Sequence, residues 1–162
     1  MMTWSLKKNY NFTEEFKEIL QFYLLECPIE DVSRRADASV FNHWIPKELR
    51  HRMEEASGLS ANSWKMVATR EVEHTLRDMN CYYKVSPSRE VAVHIRSRNL
   101  NTPKALIYLV RCALAHGSFS QRISNGETFY VLENTNRNVL KGRAVLKEKT
   151  LISWINLIKK GP

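Results

Sequence analysis

The sequence predicts a mainly helical single domain, residues 1–162, with a small β insertion near its C-terminal end, and three observations predict it. Apolar residues recur at helical spacing through most of the longer segments. Proline and glycine fall where those segments would start and stop. One Asn-Gly pair supplies the only strong hairpin signal.

The first helix opens at Asn11-Phe12-Thr13-Glu14, with Phe12, Phe16, Ile19, Leu20 and Tyr23 as its apolar stripe, and Pro28 ends it. The stretch from Ile29 to Trp44 is read as helical although its periodicity is poor. Pro46 starts a short helix carrying Leu49 and Met53, stopped by Gly58. A long helix is expected after Ser60, because Trp64, Val67, Ala68, Val72, Leu76, Met79 and Tyr83 keep one face. Glu90 to Arg96 fits strand or helix: Val91, Val93 and Ile95 alternate, yet the run is short and flanked by arginines. Thr102-Pro103 begins a helix that runs to about His116, where Gly117 suits the stop. Asn125-Gly126 then favours a type I′ turn, with Thr128 to Leu132 as its second strand and a further short strand at Arg143 to Leu146. Thr150 is expected to cap a final helix with Leu151, Trp154, Ile155 and Ile158 on one face, closed by Lys159, Lys160 and Gly161.

Composition narrows the partners. The 162 residues carry 25 Lys+Arg against 17 Asp+Glu, a net charge of +8. That balance favours polyanions, nucleic acid first and acidic membrane second. Cys27, Cys81 and Cys112 are an odd number without CxxC pairing, so neither a disulfide framework nor a zinc site is indicated. Ala105 to Val110 is the longest apolar block, too short to span a bilayer. The start lacks the apolar run of a signal peptide, and a cytoplasmic protein is expected.

Val110-Arg111-Cys112-Ala113-Leu114-Ala115-His116-Gly117 is the stretch that carries chemistry. With Leu106, Leu109, Val110 and Ala113 centred on one face, Arg111 projects roughly opposite, beside Tyr108, Cys112 and Ala115. His116 falls at the edge between the faces. The second face holds an aromatic ring and small side chains instead of Lys, Glu or Gln, so it suits another helix of this chain or of a second copy. Arginine binds phosphate bidentately, and histidine exchanges protons near neutral pH. The same spacing recurs at Arg89 and His94. Context favours Arg111, whose helix has a start signal, a stop signal and a second apolar face.

Arg-x4-His at the end of an apolar helix, stopped by His-Gly, resembles the Rx4-6H motif of the HEPN superfamily. The Tyr130-bearing hairpin and the terminal helix also look like what several HEPN families place after the motif. The resemblance implies a HEPN-like helical bundle acting as a metal-independent endoribonuclease, a toxin or antiviral defence effector. It implies a homodimer with both motifs in one composite site, RNA as substrate, and an antitoxin or regulatory protein as a further partner. Neither a metal nor another cofactor is expected. Arg111 and His116 would be catalytic. Cys112, Ser118, Ser120, Arg122 and Lys104 are the candidate substrate contacts, the serines equally readable as turn residues and the cations as solvated surface. Many active members carry a polar residue, often Asn, where this chain has Cys112, and a thiol is a weak hydrogen-bond partner.

Other polar residues offer less. His43, His51 and His74 lack metal-ligand spacing, and Glu71, Glu73 and His74 read as a solvated helix face. Arg96 and Arg98 flank the motif helix and are placed to track an RNA backbone. Trp4, Trp44, Trp64 and Trp154 read as packing residues. Two other classes stay open: a non-catalytic HEPN-like dimerisation or RNA-binding module, and a helix-turn-helix DNA binder built on the short helix before Gly58.

Overall fold

A computed structural model describes residues 12–27, 29, 43–83, 85, 88–96 and 100–162. The predicted helical stretch within Ile29–Trp44, Pro28, Trp4 and Arg98 fall largely or wholly outside the described residues. The expected helical bundle is overturned: the fold is α/β, built on a five-stranded mixed sheet. Its strands are β1 (Trp64–Val67), β2 (Val91–Ile95), β3 (Phe119–Ser124), β4 (Glu127–Asn136) and β5 (Val139–Lys147). They lie in the order β1-β2-β5-β4-β3, with β1 and β2 parallel and every other pair antiparallel.

The helices are α1 (Glu14–Leu20), which continues into a π-helical turn over Gln21–Glu26, α2 (Pro46–Glu55), α3 (Val72–Asp78), α4 (Thr102–Ala115) and α5 (Glu148–Lys160). They cover both faces of the sheet. On one face, Ala92, Tyr130, Leu132, Ala144 and Leu146 meet Phe16, Leu49, Leu106, Val110 and Trp154 in the main core. On the other, Val91 and Val93 meet Val72 and Leu76 of α3, while Val85 packs on Phe129, Val131 and Val145.

The largest departure is the long helix expected after Ser60. Trp64–Val67 is instead the edge strand β1, paired in register with Ala92–Ile95. A turn whose Ser63 and Trp64 amides donate to Ser60 O precedes it, and after it a 3-10 turn over Thr69–Glu71 leads into α-helix at Val72. Trp64, Val67 and Val72 fit a helical stripe, but sheet pairing recruits the first two of them and overrides the local period. The resulting parallel β1–β2 pair needs a crossover, and α3 supplies it. A helix-turn-helix is thereby removed, since a strand follows Gly58.

Glu90 to Arg96 resolves as strand β2, its Val91, Ala92, Val93 and His94 all buried. The alternation of Val91, Val93 and Ile95 was thus the correct signal, and Ala92 and His94 are buried as well because helices cover the other face. The short strand at Arg143 to Leu146 is the middle of the longer β5. The final helix starts three residues early, with Lys147 at its N-cap. Thr150 is no cap: its hydroxyl donates to Glu90 Oε1. That buried carboxylate also accepts from the Gly58 and Lys147 amides, tying the α2–β1 loop to the start of α5.

Candidate functional site

The motif helix α4 forms close to its expected span, with Asn101 instead of Thr102 as the cap. Asn101 caps it, accepting from the Lys104 amide at 3.1 Å, and Pro103 sits in the first turn. At the other end the Ser118 amide donates to Ala113 O at 2.8 Å and the Gly117 amide to Leu114 O at 3.3 Å. This is the Schellman pattern, and it requires the left-handed conformation that Gly117 adopts at φ 66°. The chain turns sharply there and enters β3, with Ser118 O accepting from the Glu133 amide at 2.9 Å. His116 is thus the C-cap residue, exposed at the corner between helix and sheet.

Most of α4 is buried, including Ala105, Leu106, Ile107, Leu109, Val110, Cys112, Ala113 and Leu114. Its more open positions form one stripe: Lys104, Tyr108 and Arg111 half-buried, then Ala115 exposed. These are steps of four, three and four residues, the spacing of a single helix face. The second apolar face is therefore covered largely by this chain, through the π-helical turn and the sheet. Arg111 and His116 differ by about 140° around the helix and about 7.5 Å along it, so they are two separate reaches from one helix end.

The surroundings of Arg111 define what the cysteines can do. Burial pushes the Cys27 thiol up to about 11, although the Ile29 amide and the nearby Arg111 charge pull the other way. Burial likewise raises Cys112, opposed by the Tyr108 hydroxyl and by Arg111. Tyr108 is itself raised, chiefly by its bond to Cys112. Both thiols stay protonated at neutral pH, which disqualifies them as nucleophiles. The arginine is left as the cation of the cluster.

The remaining candidates divide between the two sheet faces. Lys104 shares the open stripe of α4 with Arg111, two helical turns away. Ser118 is half-buried beside the helix end. Ser120 and Arg122 lie on the opposite sheet face, opposite Val131 and Phe129 in the β3–β4 register. Arg122 donates to Val85 O at 2.7 Å there, and Ser120 is buried. They do not join Arg111 and His116.

The second Arg-x4-His match is split between an exposed arginine and a buried histidine. Arg89 donates to Met79 O at 2.6 Å. His94 is buried and accepts from Trp64 Nε1 at 2.9 Å through Nε2, while Nδ1 lies 3.1 Å from Ile95 O. Indole is a donor only, so Nε2 is unprotonated and Nδ1 carries the proton to Ile95. Other histidines are surface partners: His51 lies 3.3 Å from Glu55 and His74 3.3 Å from Asp78. Among the described residues no group of three or more His, Cys, Asp or Glu could hold a metal. Trp44, Trp64 and Trp154 are core, Trp154 donating to Met53 O at 3.0 Å. Tyr130 is also buried, donating to Glu148 at 2.8 Å and accepting from Gln121 at 3.0 Å.

Sequence reasoning missed two buried polar groups, the Glu90 clamp and the Arg143–Glu133 pair. Arg143 and Glu133 are direct cross-strand partners in β5 and β4, on the face away from α4. No family model, curated protein or solved structure matches the chain. No helix among the described residues is long and apolar enough to cross a membrane.

Proposed function

We propose that the chain is a cytoplasmic, metal-independent endoribonuclease of HEPN type, with Arg111 and His116 drawn from two copies into one composite site. The reading rests on the motif helix and the glycine turn that ends it, not on a helical bundle. One observation carries it: His116 stands exposed at the corner that ends α4, with Arg111 half-buried on the more open stripe of the same helix, while the competing His94 is buried and bonded to Trp64.

In this mechanism His116 takes the proton from a ribose 2′-hydroxyl or delivers one to the leaving 5′-oxygen. Arg111 holds the non-bridging oxygens and stabilises the charge that develops on them. The 2′-oxygen attacks phosphorus and the P–O5′ bond breaks, giving a 2′,3′-cyclic phosphate and a 5′-hydroxyl. Lys104, farther along the stripe, would steer the strand, and the net charge of +8 favours its approach.

The test is RNA cleavage in excess EDTA, with product ends identified and DNA as control. Cleavage should persist in EDTA, spare DNA, and fall at least about 100-fold in His116→Ala and in Arg111→Ala. An undiminished rate in His116→Ala would exclude the site. A non-catalytic RNA-binding or dimerisation module is the second reading, favoured by Cys112, buried and protonated where a stronger polar partner is expected. Its signature is RNA binding without cleavage.

A further inference from the structure

On the sheet face away from α4, a cleft of about 330 Å³ opens between α3 and the distal ends of β4 and β5. Tyr82, Tyr83, Glu133, Thr135, Asn138 and Arg143 are the lining residues that matter. From these residues we infer that the cleft takes an adenine-type nucleobase, a flat ring with an exocyclic amine. The inference does not depend on ribonuclease activity.

The charges packed against the cleft's rings are balanced. Arg143 is buried and spends its guanidinium on Glu133 Oε1, through Nε at 2.8 Å and Nη2 at 2.7 Å, and on the Cys81 and Tyr82 carbonyls. Arg77 lies 3.6 Å from Glu73. The two described cations that lie over the cleft's rings, Arg77 and Arg143, are thus each matched by a carboxylate, which favours an uncharged ligand there over an anion. Both Arg143 contacts with Glu133 fall on Oε1, so Oε2 keeps acceptor capacity in a side chain only 8% exposed. A carboxylate oxygen with acceptor capacity at the wall of a cleft favours a ligand N–H donor.

The rest of the lining gives that donor a flat frame. Tyr82 and Tyr83 stand edge to face with centroids 4.8 Å apart. Arg77 lies over both rings, at 4.7 and 5.5 Å. Tyr82 is half-buried beneath it, whereas Tyr83 is 73% exposed, a large ring held in position yet open to stacking. Asn138 brings a carboxamide, the group that pairs with the N6 amine and N7 of adenine, and Glu133 accepts the second N6 hydrogen. Asn138 and its neighbour Arg137 are both left-handed, at φ 63° and 51°. For Arg137 that backbone is unfavourable, so the β4–β5 turn bears a strain while it carries an amide to the cleft.

The experiment is titration of the full chain with adenosine, followed by amide shifts in NMR, against guanosine, uridine and inorganic phosphate. Saturable adenosine binding is expected, weaker for the other two nucleosides and undetectable for phosphate. Tyr83→Ala removes an exposed ring, and Asn138→Gly keeps the left-handed turn while removing the amide. Each should cost about tenfold in affinity without altering thermal stability by more than a degree or so. A parallel arm with an oligoadenylate separates the sources: markedly tighter binding, lost in the same variants, assigns the base to a strand, and equal affinity assigns a free nucleoside. Absence of saturable binding at millimolar adenosine, equal binding of all three nucleosides, or full affinity in both variants would overturn the inference.

Discussion

His94 stands in the same five-residue relation to an arginine as His116, and its surroundings give it the opposite role. Burial holds it neutral, lowering its pKa from 6.5 to about 4 against the pull of the Ile95 carbonyl, with the Arg50 charge acting in the same direction as burial. The unfolded chain binds a proton near pH 6.5 and the folded chain only near 4, so between those values the unfolded state binds more protons. Stability therefore falls as pH drops through that window, by about 3 kcal/mol in all from this residue. Urea midpoints measured between pH 7 and 4 should show that slope, and His94→Gln, which can still accept from Trp64 but does not titrate, should flatten it. An equal slope in the variant would assign the acid sensitivity elsewhere. The helix around Arg111 was legible in sequence, because Thr102-Pro103 and Gly117 frame it and nothing frames Arg89. The Trp64–His94 bond was not within reach: it joins residues 30 apart across a strand pair that local periodicity hides.

Among the elements, the seat of α4 depends on one position without a side chain. Gly142 in β5 lies beneath Leu109, and a Cβ there would also meet His94 Cβ and Val93 O at 3.0 Å. Gly142→Ala should therefore destabilise by about 1–3 kcal/mol through overpacking. Because the displaced element carries Arg111 and His116, the same change should lower RNA cleavage in whatever fraction remains folded. Gly126→Ala is the contrasting case: a Cβ there meets nothing, but φ is +76°, so about 1 kcal/mol is expected from backbone conformation alone with cleavage unaffected. Denaturant unfolding and specific activity, measured together, separate the two; similar activity loss in both would mean that α4 is not held in this way. Elements whose boundaries rest on local chemistry were legible, namely α4, the Asn125–Gly126 hairpin and most of α5. The sheet was not. Its buried positions include Glu133 and Arg143, which cancel each other across β4 and β5 and break the apolar alternation of both strands.

For the molecule as a unit, the question is whether one copy contains a site. Among the described residues, α4 is more open along the stripe through Lys104, Tyr108, Arg111 and Ala115, and His116 lies about 140° from Arg111 around the helix. A symmetric dimer that packs these stripes brings each arginine towards the partner's helix end. The consequence is a complementation that no single-chain site can show. Arg111→Ala and His116→Ala are each expected to be inactive alone. Mixed in equal amounts and allowed to exchange subunits, half of the dimers become heterodimers. In each of these, the composite site keeps an intact arginine from one copy and an intact histidine from its partner. Cleavage should recover to a measurable fraction of the wild-type rate, at most about half, at equal total protein. Sedimentation of the same mixture reports whether dimers are present. Dimers that exchange but recover no activity would place arginine and histidine in separate roles, and recovery would make the two-copy site the working unit of this fold.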